Sequence, residues 1–434
     1  MRQTAIRTDN PAAQRRSRML LGLVLVLAIA ALALPAGASA YRPAGGANWR
    51  AQSSWIKEVL TDVTSTDAAH TWVVGTGGTI LATTDGGATW SAQRPGSTTD
   101  LDGIAFPDAD HGWAVGYDWD SESAAILATT DGGATWRAQD PGSNARLSGV
   151  AFSDATHGWA VGSNDDTGAG VVLATVDGGA TWSKQSVGSV EYLTAVACSD
   201  SASGWAVSEN DVILATTNGG STWSAQILGT KDTFWDVAFS DASHGWAVGE
   251  ETILATTDGG ATWFSQASVF DPYLQGVAVS DAAHGWVVAW SGDIFATTDG
   301  GATWNKQRSG TTGPLRAAAF PDASHGWAVG DGGAILATVD GGVTWNRQSP
   351  GCIVKLKPTS GKRGALLTIS GGGFGAQRGS SSVNLDGRAC AGYVSWNDAR
   401  IKCRVPATTK YGRVKVTVTT ALGTSNAVGF TVKR

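Results

Sequence analysis

Charge is scarce in this 434-residue chain: Asp, Glu, Lys and Arg make up 16% of it, with a formal net charge of −6. So little charge excludes long solvated helices laced by ion pairs. The acidic balance, with no Lys/Arg stripe in the central region, excludes a nucleic-acid interface built on a basic face. Four cysteines are too few for a disulfide-stapled scaffold. Histidine is limited to His70, His111, His157, His244, His284 and His325, each three residues after an Asp. With all six absorbed by one recurring pattern, no Ser-His-Asp or Cys-His nucleophile set remains. No catalytic residue, cofactor or metal is therefore expected.

Long apolar runs are absent except near the start. Arg15, Arg16 and Arg18 precede "MLLGLVLVLAIAALAL", and "ASA" at 38–40 has the small-x-small form of a cleavage site. Residues 1–40 thus read as a signal peptide, with export to the cell envelope or beyond and no membrane span after cleavage. The apolar run is short for a span, which needs about 20 residues.

What is abundant is glycine, 58 residues, and repetition. "ILATTDGGATW" at 80–90 returns in near copies through the chain. The acid or amide of this box falls at Asp85, Asp131, Asp177, Asn218, Asp258, Asp299 and Asp340. A second marker, "HGWAVG", precedes each box, and an apolar run such as "GVAF" precedes that. Four short strands per unit of roughly 40–45 residues is the period of a β-propeller blade. The chain is therefore expected to be all-β: a seven-bladed β-propeller over 41–351, then a small C-terminal immunoglobulin-like β-sandwich over 352–434. "NWRAQ" at 48–52 is a surplus copy of the outer-strand motif. Either it or 344–348 can complete the last blade.

Seven copies of one box argue for a structural part, because a catalytic carboxylate would not be needed seven times around a ring. Paired glycines permit positive φ in a tight turn, and the Asp can accept hydrogen bonds from that turn. The Trp supplies a plate for packing between blades. The histidines read the same way, as turn or stacking residues, with Ser203 in blade 4. Cys198 stands where sister repeats carry Phe106, Phe152, Phe239 and Phe320, and reads as a small buried residue. Cys390 and Cys403 flank a hairpin and are the candidate disulfide; Cys352 has no evident partner.

Thr83 to Trp90 and its copies resemble the Asp-box, or BNR, sequence. With "F-x-D-x-x-H-G-W-A-V-G", the unit resembles that of the photosystem II assembly/stability factor family over roughly 41–350. The resemblance implies a seven-bladed, non-enzymatic factor that holds a partner protein, with an arginine-rich patch. Here the arginines are scattered (Arg94, Arg137, Arg146, Arg308, Arg316, Arg347) and the loops are acidic. The tail resembles an IPT/TIG domain through "KPTSGKRGALLTISGGGFG", "VSWNDARIKCRVP" and "GRVKVTVTT", which implies a spacer or contact module.

In a four-stranded blade the invariant turns share one face and the variable loops share the other, where function is expected. The candidate binding residues there are Tyr117, Asp118, Trp119, Asp120, Glu122, Asp165, Asp166, Trp235, Trp290 and Asp293. Thr61, Asp102, Ser148, Thr194, Trp235, Gln275 and Arg316 share one position near the channel rim. Aromatics among acids suit a protein partner with a basic surface, or stacked sugars. The expected function is an exported, non-enzymatic scaffold that binds a protein partner on the acidic loop face. The alternative is a carbohydrate-binding or glycoside-hydrolysing protein of the Asp-box class.

Overall fold

The computed structural model describes residues 58–434, apart from 94, 97, 267–272, 349–351, 373, 375–376, 398–399, 421–422 and 426. The apolar leader and the strand motif at 48–52 lie outside the described residues. Regular structure among the described residues is β throughout, save one 3₁₀ turn at Thr76–Gly78.

Seven antiparallel four-stranded sheets succeed one another, each built from four consecutive strands in chain order. Blade 1 comprises Leu60–Ser65, Thr71–Gly75, Thr79–Thr83 and Ser91–Ala92. Blade 7 comprises Leu315–Ala319, Gly326–Gly330, Ala334–Thr338 and Asn346–Arg347. The second strand of each blade is buried along its length, save Asp118 at the end of that of blade 2, because neighbouring blades cover both its faces. That is why "WAVG" is a continuous apolar run instead of an alternating one. The fourth strand is short and its residues are mostly exposed.

The ring needs no strand exchange. The copy at 344–348 supplies the outer strand of blade 7 as Asn346–Arg347. Blades 7 and 1 meet through one apolar cluster, in which Leu60, Val63, Val73 and Leu81 pack with Trp327, Val329 and Ile335. A backbone bond from Gly333 N to Glu58 O (3.2 Å) spans the same seam. Each blade leaves only its outer strand, two to four residues long, as an edge, too short to template aggregation.

Neighbouring blades are joined by a recurrent aromatic seat. Trp72, Trp113, Trp205 and Trp286 stack on Phe106, Phe152, Phe239 and Phe320 of the following blade, at 3.5–3.8 Å between centroids. Those four indoles donate to the first-glycine carbonyl of the following blade's box: Gly132, Gly178, Gly259 and Gly341. Of the seven strand-two tryptophans, the three that lack a Phe partner, Trp159, Trp246 and Trp327, are those whose buried N–H has no acceptor. Their opposite numbers are Cys198, Val279 and Ser65. Flat contact with the Phe ring therefore sets the tilt that brings the indole N–H to the carbonyl.

The tail folds as the expected sandwich. One sheet orders Cys352–Lys357, Leu366–Gly372, Arg400–Arg404 and Ala391–Asn397; the other is built around Val428–Lys433, Gly412–Thr420 and Ser382–Leu385. Between them lie Leu367, Ile369, Phe374, Val416, Val418 and Phe430. Cys390 and Cys403 form a disulfide within this core, Cα to Cα 6.0 Å.

Candidate functional site

The Asp box is a self-contained turn. In blade 1, Thr83 Oγ1 donates to Asp85 Oδ1 (2.8 Å) and accepts from Gly87 N (2.9 Å). Asp85 also accepts from Thr89 N (2.8 Å) and Thr89 Oγ1 (2.7 Å). Gly86 and Gly87 take φ of 67° and 84°, which is why both are glycine. Both carboxylate oxygens are engaged inside the turn. Bonds from the Thr135 hydroxyl and amide and the Thr129 hydroxyl hold Asp131 below the ordinary carboxylate range. In blade 4, Asn218 reverses one bond: its Nδ2 donates to Thr222 Oγ1 at 2.9 Å.

The histidines are fixed just as locally. His70 Nδ1 meets Asp67 Oδ2 at 2.8 Å, while Asp67 Oδ1 accepts from the amides of Ala69 and His70. The other five repeat this arrangement, and Asp200 does the same for Ser203. His70 and His284 also stack near Trp72 and Trp286. Burial, with the fields of Asp200 and Asp154, pushes the thiol of the half-buried Cys198 up to about 12.

At the opposite face the innermost strands carry a β-bulge in all seven blades. The extra residues are Thr61, Asp102, Ser148, Thr194, Trp235, Gln275 and Arg316, the rim position singled out from the sequence. A bulge re-aims a side chain and leaves it outside the ladder, which frees this position to vary. Thr61 and Thr194 use it to bond the next blade, donating to Leu101 O (2.6 Å) and Phe234 O (2.9 Å).

Two acids missed in the sequence follow directly. Where sister repeats have Gly or Ala, blades 1 and 5 carry Asp62 and Asp236. Asp62 accepts from Val63 N (2.8 Å) and from Ile104 N of the next blade (2.9 Å); Asp236 does the same with Val237 N and Val277 N. Burial pushes both carboxyls up to about 7 against these bonds. The departure from Gly/Ala at one repeat position was the signal available for them.

Around the rim, two arginines expected to be scattered converge electrostatically on one acid. Arg146 Nε and Nη2 each approach Asp102 Oδ2 at 3.4 Å. Burial raises the Asp102 carboxyl, while Arg146 and, farther off, Arg316 oppose that rise. Each arginine also underlies a tryptophan. Arg146 lies 5.4 Å from the Trp119 ring, and Arg316 lies 4.8 Å from that of Trp290 while its Nε bonds Asp331 at 2.7 Å. Trp119 Nε1 donates to Asp100 Oδ2 (3.2 Å), and Asp100 in turn caps Gly77 N (2.8 Å). Trp119 and Trp290 remain 55% and 36% exposed, so each offers an open ring with a fixed back. Tyr273, also exposed on this side, is held at a φ of 109° and accepts from Trp290 N. Such strain in a non-glycine residue persists where the surroundings enforce it.

Several of the expected binding residues are otherwise employed. Tyr117 is buried in the strand Gly112–Asp118 and packs edge-on to Trp119, so it supports the ring and does not present itself. Asp118 caps Asp120 N and Ser121 N of its own loop, and Asp293 is paired with Lys306 at 2.5 Å. Trp235 is half-buried on its inner strand, its N–H unbonded. Asp120, Glu122, Asp165 and Asp166 are exposed. The fields of Asp165, Glu122 and Asp166 reach the Tyr117 phenol, adding to the upward push of burial. Among the described residues no group of three or more His, Cys, Asp or Glu could hold a metal ion.

Comparison with known proteins agrees with this architecture. The family described as Photosynthesis system II assembly factor YCF48 matches residues 43–102, 142–231 and 221–272, and the IPT/TIG domain family matches 352–432. A solved structure described as YCF48 bound to D1 peptide is 21% identical, with a TM-score of 0.53 over 65% of this chain and 94% of its own. YCF48 from Cyanidioschyzon merolae gives 20% and 0.52, over 65% and 96%. The GH74 xyloglucanase from Xanthomonas campestris gives 13% and 0.56, over 87% and 74%. At these identities the likeness is one of fold. A cyclomaltodextrin glucanotransferase of Paenibacillus macerans is 41% identical over 70 residues, 16% of this chain and a tenth of that enzyme's length.

Proposed function

We propose that this chain, an Asp-box seven-bladed propeller resembling the photosystem II assembly factors and followed by an IPT/TIG domain, is a non-enzymatic scaffold whose variable face holds a polypeptide. The observation that carries this reading is the pair of exposed tryptophans, Trp119 and Trp290, each seated on an arginine at the channel rim. Tryptophan and arginine are among the residue types most enriched at the energetic centres of protein interfaces. The acids Asp120, Glu122, Asp165 and Asp166 beside Trp119 would select basic side chains and make association salt-sensitive. Support also comes from the solved structure of YCF48 bound to D1 peptide. We further infer export, from the leader.

The test is affinity capture from cell-envelope extract, washed at low and high salt, with Trp119→Ala/Trp290→Ala and Asp120→Asn/Asp165→Asn/Asp166→Asn as control baits. A polypeptide shed at high salt and missed by both controls supports the scaffold. The second reading, glycan binding or cleavage, is favoured by the same open indole rings and by the GH74 likeness in fold. Retention of glycan through high salt, or its release as shortened fragments, would establish that reading instead.

A further inference from the structure

Residues 352–434 contain fourteen Lys and Arg but only two acids, Asp386 and Asp398. Five of these cations stand in register on the first sheet of the sandwich. Cross-strand pairing aligns Lys357 with Thr368 and Thr368 with Lys402; one row on, Lys355 faces Ser370 and Ser370 faces Arg400. Arg404 continues the third strand. Alternating with these positions, Leu356, Leu367, Ile369, Ile401 and Cys403 are buried, so the cations stand on the outer face. None of the four strands contains Asp or Glu.

The spacing is regular. Successive outward residues on a strand lie about 7 Å apart, and strands two apart are separated by about 10 Å. Arg400, Lys402 and Arg404 thus form one row of charge and Lys355 and Lys357 a second, with the hydroxyls of Thr368 and Ser370 between them. We infer that this face is a track for an extended phosphodiester polymer on a three-carbon backbone. Such a polymer repeats its charge every six bonds, about 7 Å when drawn out, matching the row. Trp396, the one tryptophan of the sheet, points its N–H to Phe374 O and packs on the core. The track therefore presents no indole on which a nucleobase or sugar could stack. Regular rows in strand register also fit a linear polymer better than the irregular acidic surface of a second copy.

The experiment titrates full-length protein with labelled poly(glycerol phosphate) across a salt series. Five contacts predict a slope of log K against log salt of about −3.5, using the single-strand coefficient. Lys355→Gln/Lys357→Gln/Arg400→Gln/Lys402→Gln/Arg404→Gln should weaken binding more than tenfold at low salt and flatten the slope. A control neutralising Lys362, Arg363, Arg388, Arg413 and Lys433 should keep most of the affinity; circular dichroism verifies both folds. Equal loss in both variants would overturn the track, since net charge alone would then explain binding. So would a salt-independent affinity, or self-association in sedimentation that the first variant abolishes without polymer.

Discussion

Asp62 and Asp236 each hold two backbone N–H groups, one in their own blade and one in the next. Their carboxyls rise from an ordinary 3.8 to about 7 on burial. A group raised on folding stabilises the fold fully below its unfolded value, and that contribution is lost as pH rises through the folded value. The melting temperature should therefore fall between about pH 5 and pH 8, and Asp62→Asn/Asp236→Asn should remove most of the fall. The Asp-box carboxyls are depressed instead, so their contribution is lost only below about pH 4 and stays outside this window. A wild-type melting temperature unchanged across it would contradict the assignment. At the box itself, Asp258→Ala removes the acceptor of bonds from Thr256, Thr262 N and Thr262 Oγ1. The variant should unfold at a lower urea concentration than the wild type.

The strand-two glycine of the aromatic seat gives a paired test at the scale of the element. In blade 5 a Cβ on Gly245 would lie 2.6 Å from the Phe239 ring; in blade 4, where Cys198 replaces Phe, a Cβ on Gly204 has 3.5 Å to its nearest atoms. Gly245→Ala should therefore cost about 1–3 kcal/mol by overpacking, and Gly204→Ala close to nothing, both read by chemical denaturation. Blade 1 already shows the logic, with Ser65 in place of Phe and Thr71 in place of Gly. At this scale the residues were nearly transparent. Box, strand order and histidine turn follow from local hydrogen bonding, which repeats wherever the letters repeat. The pairing of Trp with the next blade's Phe was not readable, because the two lie 34 or 39 positions apart and meet only across a blade seam.

For the molecule as a whole, propeller and sandwich have separate apolar cores. Cys390 and Cys403 close a loop of 13 residues inside the sandwich core. Cys390→Ser/Cys403→Ser should lower sandwich stability by about 3 kcal/mol and leave the propeller transition in place. Calorimetry that shows both transitions moving together would refute that independence. The rim is the feature that depends most on the closed ring. Arg146 and Arg316 belong to blades 3 and 7, and their fields meet at Asp102 in blade 2.

Read alone, the residues establish the period, the four-strand unit, seven copies, the structural nature of the box and the sandwich that follows. Each of these depends on contacts within one unit, so the pattern is written in consecutive letters. Folding decides which loop residues are free to bind. Burial withdraws Tyr117, a turn takes up Asp118, and Lys306 takes up Asp293. It also sets Arg146 and Arg316 beneath Trp119 and Trp290, and presses Asp62 and Asp236 against the neighbouring blade. These contacts depend on how strands and blades are placed beside one another, and that placement exists only in the folded chain.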